Sequence, residues 1–467
     1  MNEGALFISV VGLMVVPLIA YLLLRGTLFD ITHLRPNPWP LLWYYELATI
    51  LIPLVIVSAV GIDHVPVFFM AEPGTEGEIA VLVIVTLIMY ITTLAFSLRL
   101  FGLYREKVVA TTELPIGRLV FALCVIGILL VGSFYILGYK HAFLTSILEG
   151  RGLLEVRLAN RYTSRVPSQI QSMLWLIGYL LAALAGYLGR TSPKKSLFYL
   201  MVALFILSTP GDKAPPLWGF FVWMLAQGKL MPKRLFSLKA LVYFLVIVCL
   251  ALGGVYFVLS FQIPELTLEK YSAYLVNRLG IGQMAGVYET FGLEKSGSLP
   301  KGDFYWHMFP GARLFVDYVE YQKVLMMVTE GYGYSEMGVK NSYFIAEAYA
   351  MGGFPLMFLS PIIVAFSTAL GLIILIDLLK RIVGKELCRP IATLLYLKTQ
   401  SITGGFSHFP LIKGVILVVG QLFIIWILCI IVMHFTNFSL KGRLYVKRHS
   451  KVPTLGQENS LPPFVSS

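Results

Sequence analysis

Apolar runs of about twenty residues recur along this chain, and that length is what an α-helix needs to cross the hydrocarbon of a bilayer. They lie near 5–24, 41–61, 79–98, 118–138, 171–189, 196–209, 215–227, 239–260, 354–376, 391–404 and 411–436. Composition closes the soluble alternative: 57% of the 467 residues are hydrophobic and 13% charged, against about 25% charged in an ordinary soluble domain. The expectation is an all-α, polytopic integral membrane protein with about eleven transmembrane helices. One membrane domain spans 1–436, and a basic, then disordered, tail follows over 437–467. Four cysteines, three of them inside apolar runs, leave no disulfide framework. The start, Met1-Asn2-Glu3-Gly4, lacks a basic region, so the first run reads as a retained anchor.

A net charge of +12 might suggest nucleic acid, but bases in a membrane protein gather in its cytoplasmic loops. Placing the N-terminus outside makes every strongly basic connection cytoplasmic. These are Arg25/Arg35; Arg99, Arg105, Lys107 and Arg118; Arg190, Lys194 and Lys195; Lys229, Lys233, Arg234 and Lys239; Lys380, Arg381, Lys385 and Arg389; and the tail from Lys441 to Lys451. Together they hold more than half of the 37 Lys and Arg, so the excess is an orientation signal and no nucleic-acid partner is implied. The runs at 196–209 and 215–227 are short for a crossing and flank Thr209-Pro210-Gly211-Asp212-Lys213-Ala214. They read as a hairpin of two short helices whose tip lies below the outer surface. Two long outer segments remain, 139–170 and 261–341, the second between helices eight and nine. A loop of that length calls for helices of its own or a function; Thr267 caps one over Leu268–Leu279, stopped by Gly280.

The first outer segment breaks the charge pattern. Arg157, Arg161 and Arg165 follow at i, i+4 and i+8, so a helix puts them on one face. Guanidiniums in register repel unless an anion sits opposite, and arginine binds phosphate oxygens bidentately; a solvated face is the alternative. Lys213 in the hairpin turn is a second cation, either functional at membrane depth or half of an Asp212-Lys213 surface turn. Arg278 and Arg313 are further outer cations. His307, inside the aromatic stretch Phe304-Tyr305-Trp306-His307-Met308-Phe309-Pro310, is a possible general base or a structural histidine. Residues 342–376 would make a helix longer than a bilayer is thick, so Gly352-Gly353 and Pro355 should break it. That places Glu347 near the outer face, where it deprotonates a hydroxyl or pairs with a stray arginine. No phosphate-cradling loop, zinc-helix motif or CxxC is present.

Three stretches in this layout carry a resemblance: Arg151 to Arg165, Thr209 to Ala214, and Asn341 to Gly353 ahead of a span. The chain resembles the O-antigen and oligosaccharide repeat-unit polymerases, often called Wzy-type, and more distantly the O-antigen ligases. The stretches cover under a tenth of the chain, and where many members have Gly-x-Arg this one has Gly211-Asp212-Lys213. The resemblance implies a bacterial inner-membrane glycosyltransferase. Its donor is an oligosaccharide linked through pyrophosphate to undecaprenol, its acceptor the terminal sugar of another lipid-linked unit. Its other partners are membrane lipid and a chain-length-determining copolymerase. It implies no metal or other cofactor. Arg157, Arg161, Arg165, Lys213, Arg278 and Arg313 would hold the pyrophosphate, and His307 or Glu347 would activate the acceptor. A ligase and a flippase for lipid-linked sugar are the alternatives.

Overall fold

A computed structural model describes residues 3–32, 37–65, 68–105, 116–163, 166, 168–212, 214–228, 238–260, 266–276, 281–312, 315–331 and 342–449. Its helices are α1 (Glu3–Leu24), α2 (Pro40–Val60), α3 (Glu76–Leu100), α4 (Ile116–Ile136), α5 (Ala142–Glu149), α6 (Leu153–Thr163), α7 (Ser168–Leu188) and α8 (Pro193–Ser208). They continue with α9 (Ala214–Gln227), α10 (Leu238–Ser260), α11 (Leu268–Leu275), α12 (Ala285–Lys295), α13 (Tyr321–Glu330), α14 (Ile345–Ile382), α15 (Lys385–Thr399) and α16 (Lys413–His449). The fold is all-α. Among the described residues seven helices are long and apolar enough to cross a membrane: α1, α2, α3, α4, α7, α14 and α16. The other four of the eleven expected runs are also helical, as α8, α9, α10 and α15; α8, α9 and α15 have only 16, 14 and 15 residues.

Helix α7 is the axis of the bundle, packed against α4, α8, α9, α15 and α16. Small residues make that possible, as is usual where helices must approach closely in lipid. A Cβ on Gly186 would lie 2.5 Å from the Trp223 carbonyl of α9, and one on Gly178 would collide with Leu207 of α8. A second group forms where α3 meets α1 and α14.

Hydrogen bonds identify the two ends. At one, Arg99 donates to the Leu23 carbonyl at 2.6 Å, Arg105 pairs with Asp30 at 3.1 Å, Arg389 donates to the Tyr104 carbonyl at 3.1 Å, and Arg190 to the Ala226 carbonyl at 2.8 Å. Arg99, Arg105 and Arg389 thus draw three of the basic connections together, and Arg190 closes a fourth onto the end of α9. At the other end the outer segment builds a cap. Glu289 of the buried helix α12 accepts the Phe69 N–H at 3.1 Å, Lys295 pairs with Glu78 at 3.3 Å, and Thr290 Oγ1 meets the Tyr321 hydroxyl at 2.7 Å. The Thr267 cap forms as expected, its side chain accepting the Lys270 N–H, but α11 is given only to Leu275, and 277–280 lie outside the described residues.

Helix α14 has 38 residues, about 57 Å at 1.5 Å per residue, and breaks where the sequence demanded. Gly352 and Gly353 leave helical geometry, and Gly353, at φ 64 and ψ −160, occupies a region open to glycine alone. The short turn before α15's partner helix α16, residues 400–412, packs its 3-10 segment Phe406–His408 against α14.

Candidate functional site

The break in α14 leaves a two-turn stub, Ile345–Met351, that carries Glu347 into the protein with 1% of its surface exposed. A carboxylate so buried is stable only when paired and hydrogen-bonded, and two segments supply this. Ser407 donates its backbone N–H to Glu347 Oε2 at 3.0 Å, and His307 Nδ1 lies 3.7 Å from Oε1. His307 Nδ1 also shares a 2.7 Å hydrogen bond with Ser407 Oγ. His307 and Glu347, offered by the sequence as alternatives, are therefore neighbours. The stray arginine expected as the partner of Glu347 is replaced by a histidine.

The same cluster holds His408 and Lys413. The rings of His307 and His408 are 5.2 Å apart, edge to face, and Tyr318 flanks His307 at 5.5 Å. Lys413 donates Nζ to the His307 carbonyl and lies 5.8 Å from the Tyr318 ring. Burial, together with the charges of His307 and Lys413, pushes His408 down to about 4, so it stays neutral near pH 7. Gly405 passes directly over Glu347: a Cβ there would strike Oε2. Gln322 stands on the same side, its Nε2 buried and without a hydrogen-bond partner among the described residues.

With Nδ1 engaged by Ser407 and facing a carboxylate, His307 presents Nε2 as its working nitrogen. A neutral imidazole oriented in this way takes a proton at Nε2, and the carboxylate stabilises the imidazolium that results. Among the described residues no three His, Cys, Asp or Glu side chains converge to hold a metal ion.

The arginine-bearing segment forms a second feature. Its start is latched to the short hairpin: the Ala142 N–H donates to the Thr209 carbonyl at 2.9 Å. His141 Nδ1 accepts the Leu144 N–H at 3.3 Å, so its Nε2 carries the proton and donates to the Phe205 carbonyl at 3.1 Å. This neutral cap is what His141 does, and burial holds it below its ordinary value. Asn160 closes α6 back onto Lys140 through two bonds, of 2.9 and 2.7 Å. Arg157 then pairs with Asp212, and Gly211, at φ +83, lies so close that a Cβ would be 2.6 Å from Ala142 Cβ and 2.7 Å from Arg157 Cγ.

Two of the three stretches behind the family resemblance thus meet physically. The pairing also qualifies the phosphate reading, because Arg157 has an internal anion and Arg151 is bridged to Glu155 at 2.8 Å. Arg161 lies on α6, its side chain outside what is described, and Arg165, Lys213, Arg278 and Arg313 lie outside the described residues. Helix α9, 14 residues long, rises only about 21 Å from the Arg190 contact. That is shorter than the roughly 30 Å of a hydrocarbon core, and α5 meets the tip of the hairpin through Ala142. Sequence reasoning missed Ser407 and Lys413 and ranked His408 below His307; the one signal for the segment was the irregular Gly404-Gly405 linker between two apolar runs.

Comparison with protein-family models, curated proteins and solved structures finds no match to this chain.

Proposed function

We propose that the chain polymerises lipid-linked oligosaccharide repeat units. It transfers a glycan from undecaprenyl pyrophosphate to the terminal sugar of another unit at the periplasmic face of a bacterial inner membrane. The observation that carries this reading is His307 held between Glu347 and Ser407 at the end of the bundle opposite the basic connections. By the positive-inside rule those connections face the cytoplasm and the cluster faces out, with the N-terminus outside and the C-terminus inside. Helices α8, α9, α10 and α15 join the seven long ones to make eleven crossings.

In this mechanism the acceptor hydroxyl gives its proton to His307 Nε2 as its oxygen attacks the anomeric carbon. The bond from that carbon to the pyrophosphate breaks, releasing the polyprenyl pyrophosphate. Glu347 stabilises the imidazolium, and the Gln322 Nε2, without a hydrogen-bond partner among the described residues, suits a sugar hydroxyl. Charge growing on the leaving group needs preorganised cations; Arg161, Arg165, Lys213, Arg278 and Arg313 are assigned to it, with Arg157 acting through Asp212. A chain-length-determining copolymerase is the proposed protein partner.

The test is reconstitution in liposomes with a lipid-pyrophosphate-linked repeat unit and neither nucleotide nor metal added. A ladder of glycan lengths is expected. Transfer to a different acceptor alone would make the chain a ligase, and a change of sidedness without new bonds would make it a flippase.

A further inference from the structure

Lys398 is not used by the cluster above. It lies nine residues beyond Arg389 on α15, about 13 Å deeper along the helix. Two other helices give the same depth: Trp218 is eight residues, about 12 Å, from Ala226 on α9, and Tyr179 is nine residues, about 13 Å, from Leu188 at the end of α7. All three residues therefore stand near the middle of the bundle, where an ammonium is costly and marks a pathway or a site.

The Lys398 ammonium rests 3.4 Å from the centroid of the Trp218 ring and 5.9 Å from that of Tyr179. Among the described residues its Nζ makes no hydrogen bond, so the ring faces are its close protein contacts. Glu46 of α2 is the acid that faces it, but Glu46 Oε2 already accepts the Ile402 N–H at 3.3 Å, beside Ser401. Lys398, Glu46 and Trp218 are each half-buried. Tyr45, 40% exposed, stands edge-on to Trp218 at 5.6 Å and leaves the shelf open on that side.

We propose that Lys398 on its Trp218 shelf is a binding site for a phosphoryl anion, with Glu46 as the built-in counter-ion of the empty site. Ammonium donors with no acceptor suit a compact, multiply charged oxyanion, and the aromatic walls suit an anion that arrives on an apolar chain. The inference deepens the polymerase reading by naming where a phosphate of the lipid carrier enters, and it rests on that reading only for the identity of the carrier.

The test is binding, not turnover. The full chain in nanodiscs is titrated with polyprenyl pyrophosphate, with inorganic pyrophosphate, and with unphosphorylated polyprenol as the blank. Lys398→Met should weaken binding of the phosphorylated probes at least tenfold. Glu46→Gln, which removes the competing carboxylate, should tighten it about threefold. Binding of both phosphorylated probes with that dependence means that the phosphoryl group suffices; binding of the lipid form alone means that the source is the carrier. Wild-type protein that binds neither probe, or Lys398→Met that binds as wild type, overturns the proposal. Should Lys398→Met fail to fold, Glu46→Gln decides alone, since a purely structural pair predicts no tightening. A chain that binds in this way but makes no glycan ladder would sink the polymerase reading and leave the anion site standing.

Discussion

Replacing Glu347 with Gln keeps the length of the side chain and an acceptor for the Ser407 N–H, and removes the charge that faces His307. At 3.7 Å and an effective dielectric of about 20, that charge stabilises an imidazolium by about 4.5 kcal/mol. If about half of this is expressed where the proton is in transit, the chemical step slows by roughly 2 kcal/mol, about 40-fold at 1.36 kcal/mol per decade. The amide brings a second effect of the same sign. Its NH2 turned toward Nδ1 favours the tautomer with the lone pair there and the proton on Nε2, the wrong arrangement for a base. The expected outcome is a fall in kcat of between ten- and several hundred-fold with little change in KM, because the carboxylate is sealed from substrate at 1% exposure. The assay is initial-rate chain growth of a lipid-linked repeat unit, resolved as a ladder on a gel. A variant that is folded, monodisperse and within twofold of wild-type kcat would refute the general-base role of His307.

Four further outcomes follow from the same geometry. Ser407→Ala removes one hydrogen bond to His307, worth about 0.5–1.5 kcal/mol, so a loss of roughly tenfold or less in rate is expected, smaller than for Glu347→Gln. Gly405→Ala drives a methyl into Glu347 Oε2 and should abolish activity and lower the thermal midpoint, measured by nanoscale fluorimetry, while Ala at the unobstructed Gly420 should not. Arg157→Ala leaves the half-buried Asp212 without its cation, so Arg157→Ala/Asp212→Ala should recover stability relative to Arg157→Ala; a double variant no more stable than the single would show that the pair is not what holds the turn. His408 titrates near 4 when folded and near 6.5 when unfolded, so the unfolded chain binds more protons in that window. Stability contributed there is present above about 6.5 and is lost as pH falls toward about 4, and His408→Gln should flatten that part of the thermal-midpoint profile.

Helices and their breaks were legible because their causes are local. Apolar length marked α1 to α4, the Gly352-Gly353 pair marked the break in α14, and Thr267 marked the start of α11. The shortness of α8 and α9 was legible too. Partnerships were not. His307, Glu347 and Ser407 come from positions 40 to 100 residues apart, and no spacing rule connects a loop histidine with a serine beyond a later helix. Arg157 looked like a free cation because Asp212, 55 residues on, read as an ordinary turn acid. Glu46 sits near the start of an apolar run, and nothing in the spacing connects it with Lys398 or Ile402. In each case the sequence supplied the residue and the packing of α7, α14 and the 400–412 turn chose its neighbour.

That turn also has a meaning for how the protein is made. Residues 400–412 are tied to Glu46 through Ile402, to Phe344 through the Ile402 carbonyl, to Glu347 and His307 through Ser407, and lead into the Lys413 that grips the His307 backbone. Every one of those partners is synthesised earlier. A nascent chain that has threaded α14 but not α15 and α16 therefore carries Glu347 with neither its amide donor nor an oriented His307, and the stub before Gly352 has no reason to hold its place. Completion of the His307–Glu347–Ser407 cluster is deferred to the last helices to be made, so an incompletely synthesised chain carries Glu347 as an unsatisfied carboxylate.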